Sequence, residues 1–229
     1  MACSLFICCG ALIVTASSGQ LIVLVGPAGS GKTTLAHRLI AKDPLGRGFS
    51  VSHTTRAIRS NEIDGKDYHF IDRANFEHLI ASGDFVEWAT VHGNYYGTSR
   101  ASIVEHVSAG RELFFDIDIQ GAFHLFEQFS EQTRLVFIVP PSWQVLVSRL
   151  TARGTETTAT LRRRLQTARK ELEGLLNSAL PWQIVVNDVL EEAIGDLDQA
   201  TRTAKIELKH RALLEQMLQA AQADARAAS

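Results

Sequence analysis

The chain has 229 residues, 45% hydrophobic and 21% charged, enough to bury a sizeable core in one large domain or in one domain carrying inserted segments. Against 25 Asp and Glu stand 23 Lys and Arg, and the net charge of -2 excludes a general attraction to nucleic acid or to an anionic membrane. The three cysteines crowd at Cys3, Cys8 and Cys9, which excludes a disulfide framework and zinc-site spacing and favours a reducing, cytoplasmic setting.

In chain order, Leu5 to Val14 comes first as a nearly uninterrupted apolar run followed by small residues. No Lys or Arg precedes it and it is too short to span a bilayer as a helix, so residues 1–18 read as an extension upstream of the folded domain. Gln20 to Val25 is a β-rich run ending at Gly26, and Thr33 to Ala41 has helical apolar spacing. Similar strand-like runs recur at Leu113–Ile117, Arg134–Val139 and Ile184–Val186. The first two are each followed by a helical pattern, so a parallel sheet flanked by helices is expected. Between Ala41 and Leu113 the pattern changes to short alternating pieces, Tyr68–Ile71 and Phe85–Ala89, which read as an inserted mixed subdomain. Ser142–Arg153 and Thr158–Ser178 read as two charged helices hinged at Gly154 in a mobile projection. Asp188 to about Gln219 reads as one long helix whose alanine-rich end, Ala220–Ser229, frays.

Gly26-Pro27-Ala28-Gly29-Ser30-Gly31-Lys32-Thr33 satisfies G-x-x-x-x-G-K-[ST] between a predicted strand and a predicted helix, the context this motif requires. Its glycines let backbone N–H groups turn inward around a β-phosphate, and the new helix adds unpaired N–H groups and a positive dipole end. Lys32 supplies a point charge for the β- and γ-phosphates. Thr33 supplies a hydroxyl suited to Mg²⁺, and Thr34 follows in the same turn. A nucleoside triphosphate site is therefore expected, although motors, switches and kinases all use such a loop. Asp116 and Asp118 follow the apolar run Leu113–Phe115, and either is placed to orient a metal-bound water.

Further on, Ser50-Val51-Ser52-His53-Thr54-Thr55-Arg56-Ala57-Ile58-Arg59 leads to Glu62, Asp64-Gly65 and Asp67-Tyr68-His69-Phe70. This segment resembles the hallmark of guanylate kinases. The likeness continues through Gly83–Ala89, Gly93–Thr98, Asp116–Gly121 and Pro140–Ser142, covering about Gly19 to Leu208. The resemblance implies a three-layer P-loop NTPase-type α/β fold with an inserted GMP-binding subdomain and a helical lid. It also implies transfer of the γ-phosphate of ATP to GMP with Mg²⁺, as part of purine nucleotide metabolism. By that likeness residues 19–208 form the kinase-like domain, with core segments 19–46, 99–140 and 180–208. The acceptor subdomain is 47–98, the lid about 141–179, and a helical or frayed tail occupies 209–229.

Arg56 and Arg59 are two planar, permanently charged donors suited to bidentate capture of a monophosphate, and Ser52, Tyr68 and Tyr96 add hydroxyls. In the family, residues matching these five hold the GMP phosphate, and Glu62 lies in the same acceptor motif. Glu87 presents two acceptors to the N1–H and N2–H donors of guanine, a pattern adenine cannot satisfy. Thr98 is suited to donate to guanine O6, while Asp118 matches a family position near guanine and is also open to the metal-water role. Arg149, Arg153 and Arg164 match lid positions that approach ATP and the transferring phosphoryl group, whereas Arg162 and Arg163 read as a solvated face. Asn187-Asp188 resembles the segment beside the adenine, and an N-cap for the next helix is compatible with it. His53, His69 and His92 lack metal-ligand spacing. The acceptor phosphate is already anionic, so no catalytic base is required.

Two positions depart from the pattern: Ile58 replaces a usual Pro and Asn61 a usual Gly, both of which shape the acceptor loop. Two rivals remain, a catalytically inactive guanylate kinase-like protein-binding module and a related sugar-phosphate kinase. Lys32, Thr33, Arg149 and Arg153 argue against the first, and the pair Glu87 and Thr98 against the second. The expected partners are thus ATP and GMP, without nucleic acid or membrane.

Overall fold

The computed structural model describes residues 19–60, 62–91, 93–152, 158–203 and 210–227. Five strands form a parallel sheet in the order β2-β7-β1-β8-β9: β1 (Gln20–Val25), β2 (Arg47–Phe49), β7 (Glu112–Asp116), β8 (Thr133–Val139) and β9 (Trp182–Val186). The apolar runs in β1, β7 and β8 are continuous because both faces of the sheet are covered. Leu21, Val23 and Val25 of β1 enter one core cluster with Leu135, Phe137 and Val139 of β8. Their neighbours Ile22, Leu24, Val136 and Ile138 enter the other. The two-residue repeat of a strand thus feeds two cores.

Helices α1 (Lys32–Lys42) and α7 (Leu190–Arg202) cover one face through Leu35, Leu39, Ile194 and Leu197. The other face is covered by α3 (Arg100–Ser108), α4 (Ile119–Gln128), α5 (Trp143–Thr151), α6 (Thr158–Leu176) and α8 (Arg211–Ala227). A second, four-stranded sheet has the order β4-β3-β6-β5. Its strands are β3 (His53–Thr54), β4 (His69–Phe70), β5 (Phe85–Val91) and β6 (Asn94–Ser99), with α2 (Arg73–Ala81) alongside. The α/β core, inserted mixed sheet and helical segment follow the expected fold class.

Four expectations change. Arg47–Phe49, grouped with the inserted segment, pairs instead with β7 as an edge of the large sheet. The reason is Arg47, whose guanidinium is held by Glu112 of β7 at 2.7 Å and by Asp198 of α7, tying this strand to the core.

The helices predicted as a mobile projection are anchored. Trp143, Leu146 and Leu150 of α5 and Ala168, Leu172 and Leu175 of α6 are buried, each set at helical spacing, so charges outnumbering apolar residues did not prevent a core-facing stripe. Gly154, the expected hinge, lies outside the described residues. Finally, the C-terminal segment does not fray from Ala220, because α8 continues to Ala227 and buries Leu214, Met217 and Ala221 against α5 and α6. The Trp143 indole N–H also donates to Asp224. Small alanines allow close helix approach without a strong apolar signal. The predicted single long helix is two helices, α7 and α8. Residues 1–18, including the cysteines, lie outside the described residues, among which no helix is long and apolar enough to cross a membrane.

Candidate active site

At the end of β1 the chain turns through Gly26, Gly29 and Gly31, whose φ angles are 139°, 88° and 94°. Side chains are excluded at both ends of this loop: a Cβ on Gly26 would lie 2.2 Å from the Ile138 carbonyl oxygen, and one on Gly31 2.2 Å from Asn187 Nδ2. Gly31 caps α1 with no side chain to occupy the first-turn N–H groups, which leaves them directed at the loop's concave side. A turn from Ser30 N to Pro27 O, 3.0 Å, fixes the loop through Ala28. Lys32 folds across it, donating to Gly26 O at 2.6 Å and lying 3.6 Å from Asp116 Oδ1. The register of Leu24 with Asp116 between β1 and β7 brings that carboxylate alongside, where it accepts from Thr33 Oγ1 at 2.9 Å. Thr34 is exposed in the same first turn.

Asn187 acts on this loop from β9. Its Nδ2 donates to Ser30 O at 2.8 Å, while Arg149 Nη2 donates to the Asn187 carbonyl at 3.0 Å. The N-cap expected of Asn187-Asp188 does not form, since Val189 is the capping residue of α7 and makes no side-chain cap bond. Arg149 is thereby joined to the rear of the phosphate loop. Arg153 lies outside the described residues.

The second sheet builds another pocket. Glu87 on β5 stands opposite Thr98 on β6 just past a bulge between Phe85 and Glu87, and Thr98 Oγ1 donates to Glu87 Oε1 at 2.5 Å. Burial pushes the Glu87 carboxyl above its usual range, while the Thr98 hydrogen bond pulls it the other way. A hydroxyl has one proton, so Thr98 is committed to Glu87 and becomes a donor to guanine O6 only after N1–H and N2–H take over the carboxylate. Asp118 caps α4, accepting from Gly121 N at 2.8 Å, and its charge acts on Glu87 from across the pocket.

Arg56 lies beside Tyr68 and Phe70, with its guanidinium carbon 5.4 and 5.6 Å from their ring centres, and Tyr68 meets Tyr96 edge-on at 5.8 Å. Burial raises the Tyr68 phenol, keeping it a hydrogen-bond donor. Ser52 is half-buried at the entry to β3, its carbonyl accepting from His69 N. Glu62 has a different task from the other residues predicted to meet GMP. Its carboxylate accepts from Arg56 Nη2 at 2.7 Å and Nη1 at 3.0 Å, and from Arg59 N at 2.9 Å. An anion so placed repels a phosphate, orients the Arg56 guanidinium and fixes the backbone at Arg59. The Arg56 hydrogen bonds hold the Glu62 carboxyl below its usual range. Glu62→Gln keeps the shape and removes the charge. It is expected to raise KM for GMP about tenfold with a smaller change in kcat, measured by steady-state kinetics. Ile58 is exposed in this loop, and Asn61 lies outside the described residues.

A cavity of about 420 Å³ opens beside the phosphate loop and extends to Asp118, which with Glu87 flanks Gly121. Lys32, Asp116, Ile117 and Asp118 line one wall, and Thr160, Arg163, Arg164, Thr167 and Glu171 of α6 the other. Arg164 thus reaches the cleft as expected, and so does Arg163, which reads from sequence as solvated. The missed residue is Glu171. Burial raises its carboxyl to about 7, opposed by Lys32 and reinforced by Asp118 and Asp116. The signal for it was present as a polar stripe, Thr160, Arg164, Thr167 and Glu171, with the same helical period as the buried stripe behind it.

A glycine-lined strand-to-helix loop with Lys32 and Thr33, facing an arginine- and tyrosine-rich pocket across one cleft, defines a P-loop nucleotide phosphotransferase. Residues 18–204 match the family model described as Guanylate kinase. The guanylate kinase of Thiobacillus denitrificans is 43% identical over 192 residues, 84% of this chain and 90% of that one. That of Anaeromyxobacter dehalogenans is 45% identical over 188 residues, 82% of each chain. The crystal structure of guanylate kinase from Anaplasma phagocytophilum superposes with a TM-score of 0.64 at 32% identity, covering 87% of this chain and 95% of that one. The chain belongs to the guanylate kinase family. It is a kinase of that family, and neither rival reading is favoured.

Proposed function

We propose that this enzyme transfers the γ-phosphoryl group of ATP to GMP, releasing ADP and GDP and returning GMP to the guanine nucleotide pool. The observation that carries the choice of acceptor is the pair of half-buried Glu87 and buried Thr98, a carboxylate and a hydroxyl matched to the Watson–Crick edge of guanine. Arg56, Arg59, Ser52, Tyr68 and Tyr96 hold the acceptor phosphate, with Glu62 orienting the Arg56 guanidinium and the loop backbone at Arg59. Gly26 to Thr34 hold the donor phosphates, and Asn187 braces that loop beside the donor base. Residues of the four-stranded sheet form the acceptor subdomain, and 141–179 the lid.

An oxygen of the GMP phosphate attacks the γ-phosphorus as the bond to the β-γ bridging oxygen breaks, and ADP departs with that oxygen. Lys32 leaves the Gly26 carbonyl to follow the β- and γ-phosphates, while Arg149, on leaving the Asn187 carbonyl, joins Arg153 and Arg164 in stabilising charge on the equatorial oxygens. The oxygen donors of Thr33 and Asp116, 2.9 Å apart at the phosphate end, fit Mg²⁺. Thr33 would bind it directly and Asp116 or Asp118 through water, and the ion would neutralise phosphate charge. Among the described residues no group of three or more acidic, His or Cys side chains forms a metal cage.

A coupled ADP-release assay with ATP, Mg²⁺ and GMP, AMP, UMP or ribose phosphates tests the reading. GMP should exceed each other acceptor in kcat/KM by at least about a hundredfold. Equal use of AMP, or no GMP-dependent ADP release, would remove it.

A further inference from the structure

Glu171 sits between the two halves of the site. It lines the cleft together with Lys32 at the phosphate end and Asp118 at the other, and a Cβ on Gly121 would lie 3.5 Å from both Asp118 Oδ1 and Glu87 Oε2, which puts Asp118 beside Glu87. A nucleotide whose base meets Glu87 and whose phosphate, held by Arg56 and Tyr68, is offered to the donor phosphates beside Lys32 must place its ribose in the stretch between Glu87 and Lys32. Three carboxylates reach this middle stretch, but two are engaged. Asp116 accepts from Thr33 and pairs with Lys32, and Asp118 accepts from Gly121 N. Glu171 Oε2 is buried and receives no hydrogen bond among the described residues. Ala168, Leu172 and Leu175 pack the opposite face of α6 into the core and α8 packs along the same helix, so Glu171 is turned toward the cleft.

A buried acceptor without a donor is costly, and a bound ligand that supplies the donor removes the cost. Phosphate groups of a nucleotide only accept, and the guanine donors face Glu87. The donors remaining on the acceptor nucleotide are its ribose hydroxyls.

Resting on the acceptor reading above, we infer that Glu171 is a specificity residue that accepts a hydrogen bond from a ribose hydroxyl of the acceptor nucleotide and so favours ribonucleotides over deoxyribonucleotides. Nothing in the phosphoryl-transfer chemistry requires this contact. Its effect is confined to the comparison between sugars.

The test compares GMP with its 2′-deoxy and 3′-deoxy analogues, at saturating ATP and Mg²⁺ and at pH 8, in the full chain and in Glu171→Leu. In the wild type, at least one deoxy analogue is used with about tenfold lower kcat/KM than GMP. In Glu171→Leu that ratio collapses to within about threefold of unity, through loss on GMP and little change on the analogue. Glu171→Gln, which keeps size and one acceptor oxygen, gives an intermediate ratio and serves if the leucine variant does not fold. Equal use of GMP and both analogues by the wild type overturns the inference while leaving the acceptor reading intact. So does a parallel fall on all three substrates in the variants, the mark of a merely structural residue. A wild type that phosphorylates none of the three overturns the acceptor reading and this inference with it.

Discussion

Replacing Lys32 by Ala is expected to lower kcat by about a thousandfold or more, with the fold retained. In the unliganded site the ammonium rests on the Gly26 carbonyl and near Asp116, so its contacts are local to the loop and contribute little to the two cores. In the reaction it is a mobile positive charge beside the bond being broken, and no other described cation enters the cleft from the phosphate loop itself. Arg163 and Arg164 approach from α6 and cannot substitute, because their backbone lies on the opposite wall. The measurement is single-turnover GDP formation, paired with thermal unfolding. Turnover within tenfold of wild type would end the role given to Lys32. A large fall in Tm would instead show that the loop depends on it for folding.

The second large effect is at Glu87. Glu87→Gln replaces one carboxylate oxygen by an NH₂ group, while guanine offers N1–H and N2–H to the two oxygens. In either amide orientation the number of acceptors falls and one guanine donor meets the NH₂ group. Because the pocket is buried, that mismatch is not relieved by water, and kcat/KM for GMP is expected to fall by about a hundredfold or more. Thr98→Val, which removes the proton now given to Glu87 at 2.5 Å, should weaken GMP use in the same direction by a smaller factor. Steady-state kinetics with GMP and AMP decide the matter. If Glu87→Gln leaves the preference for GMP unchanged, Glu87 does not read the base.

Both effects concern residues legible in the sequence, and the reason is local. Gly26 to Thr33 must turn sharply where a strand meets a helix, and only a few residue types permit the φ angles seen at Gly26, Gly29 and Gly31. The motif is therefore continuous along the chain. The base-reading pair was found through a family resemblance that spans short consecutive segments, and the hairpin of β5 and β6 then places its members side by side. In β1, β7 and β8 the apolar runs marked the central strands because each is covered on both faces.

What the sequence could not reveal depends on residues far apart in the chain. Glu62 looks like one more polar residue of an acceptor loop until its carboxylate is seen gripping Arg56. Asn187 looks like a cap until its amide is found under Ser30, 157 residues away in the chain. The charged helices α5 and α6 look detached because charge is counted around the whole helix, whereas packing uses one stripe; the partner of that stripe, α8, lies at the other end of the chain segment.

By itself, then, the sequence determined the phosphate loop and the α/β class, because these rest on backbone geometry and patterning within short stretches, and a family resemblance pointed to Glu87 and Thr98. Only the tertiary structure decided that α8 braces α6, that Asn187 and Arg149 support the loop from behind, and that Glu171 faces the middle of the cleft. Those depend on which faces of distant elements meet, and a helix or strand pattern states that a face exists without stating what covers it.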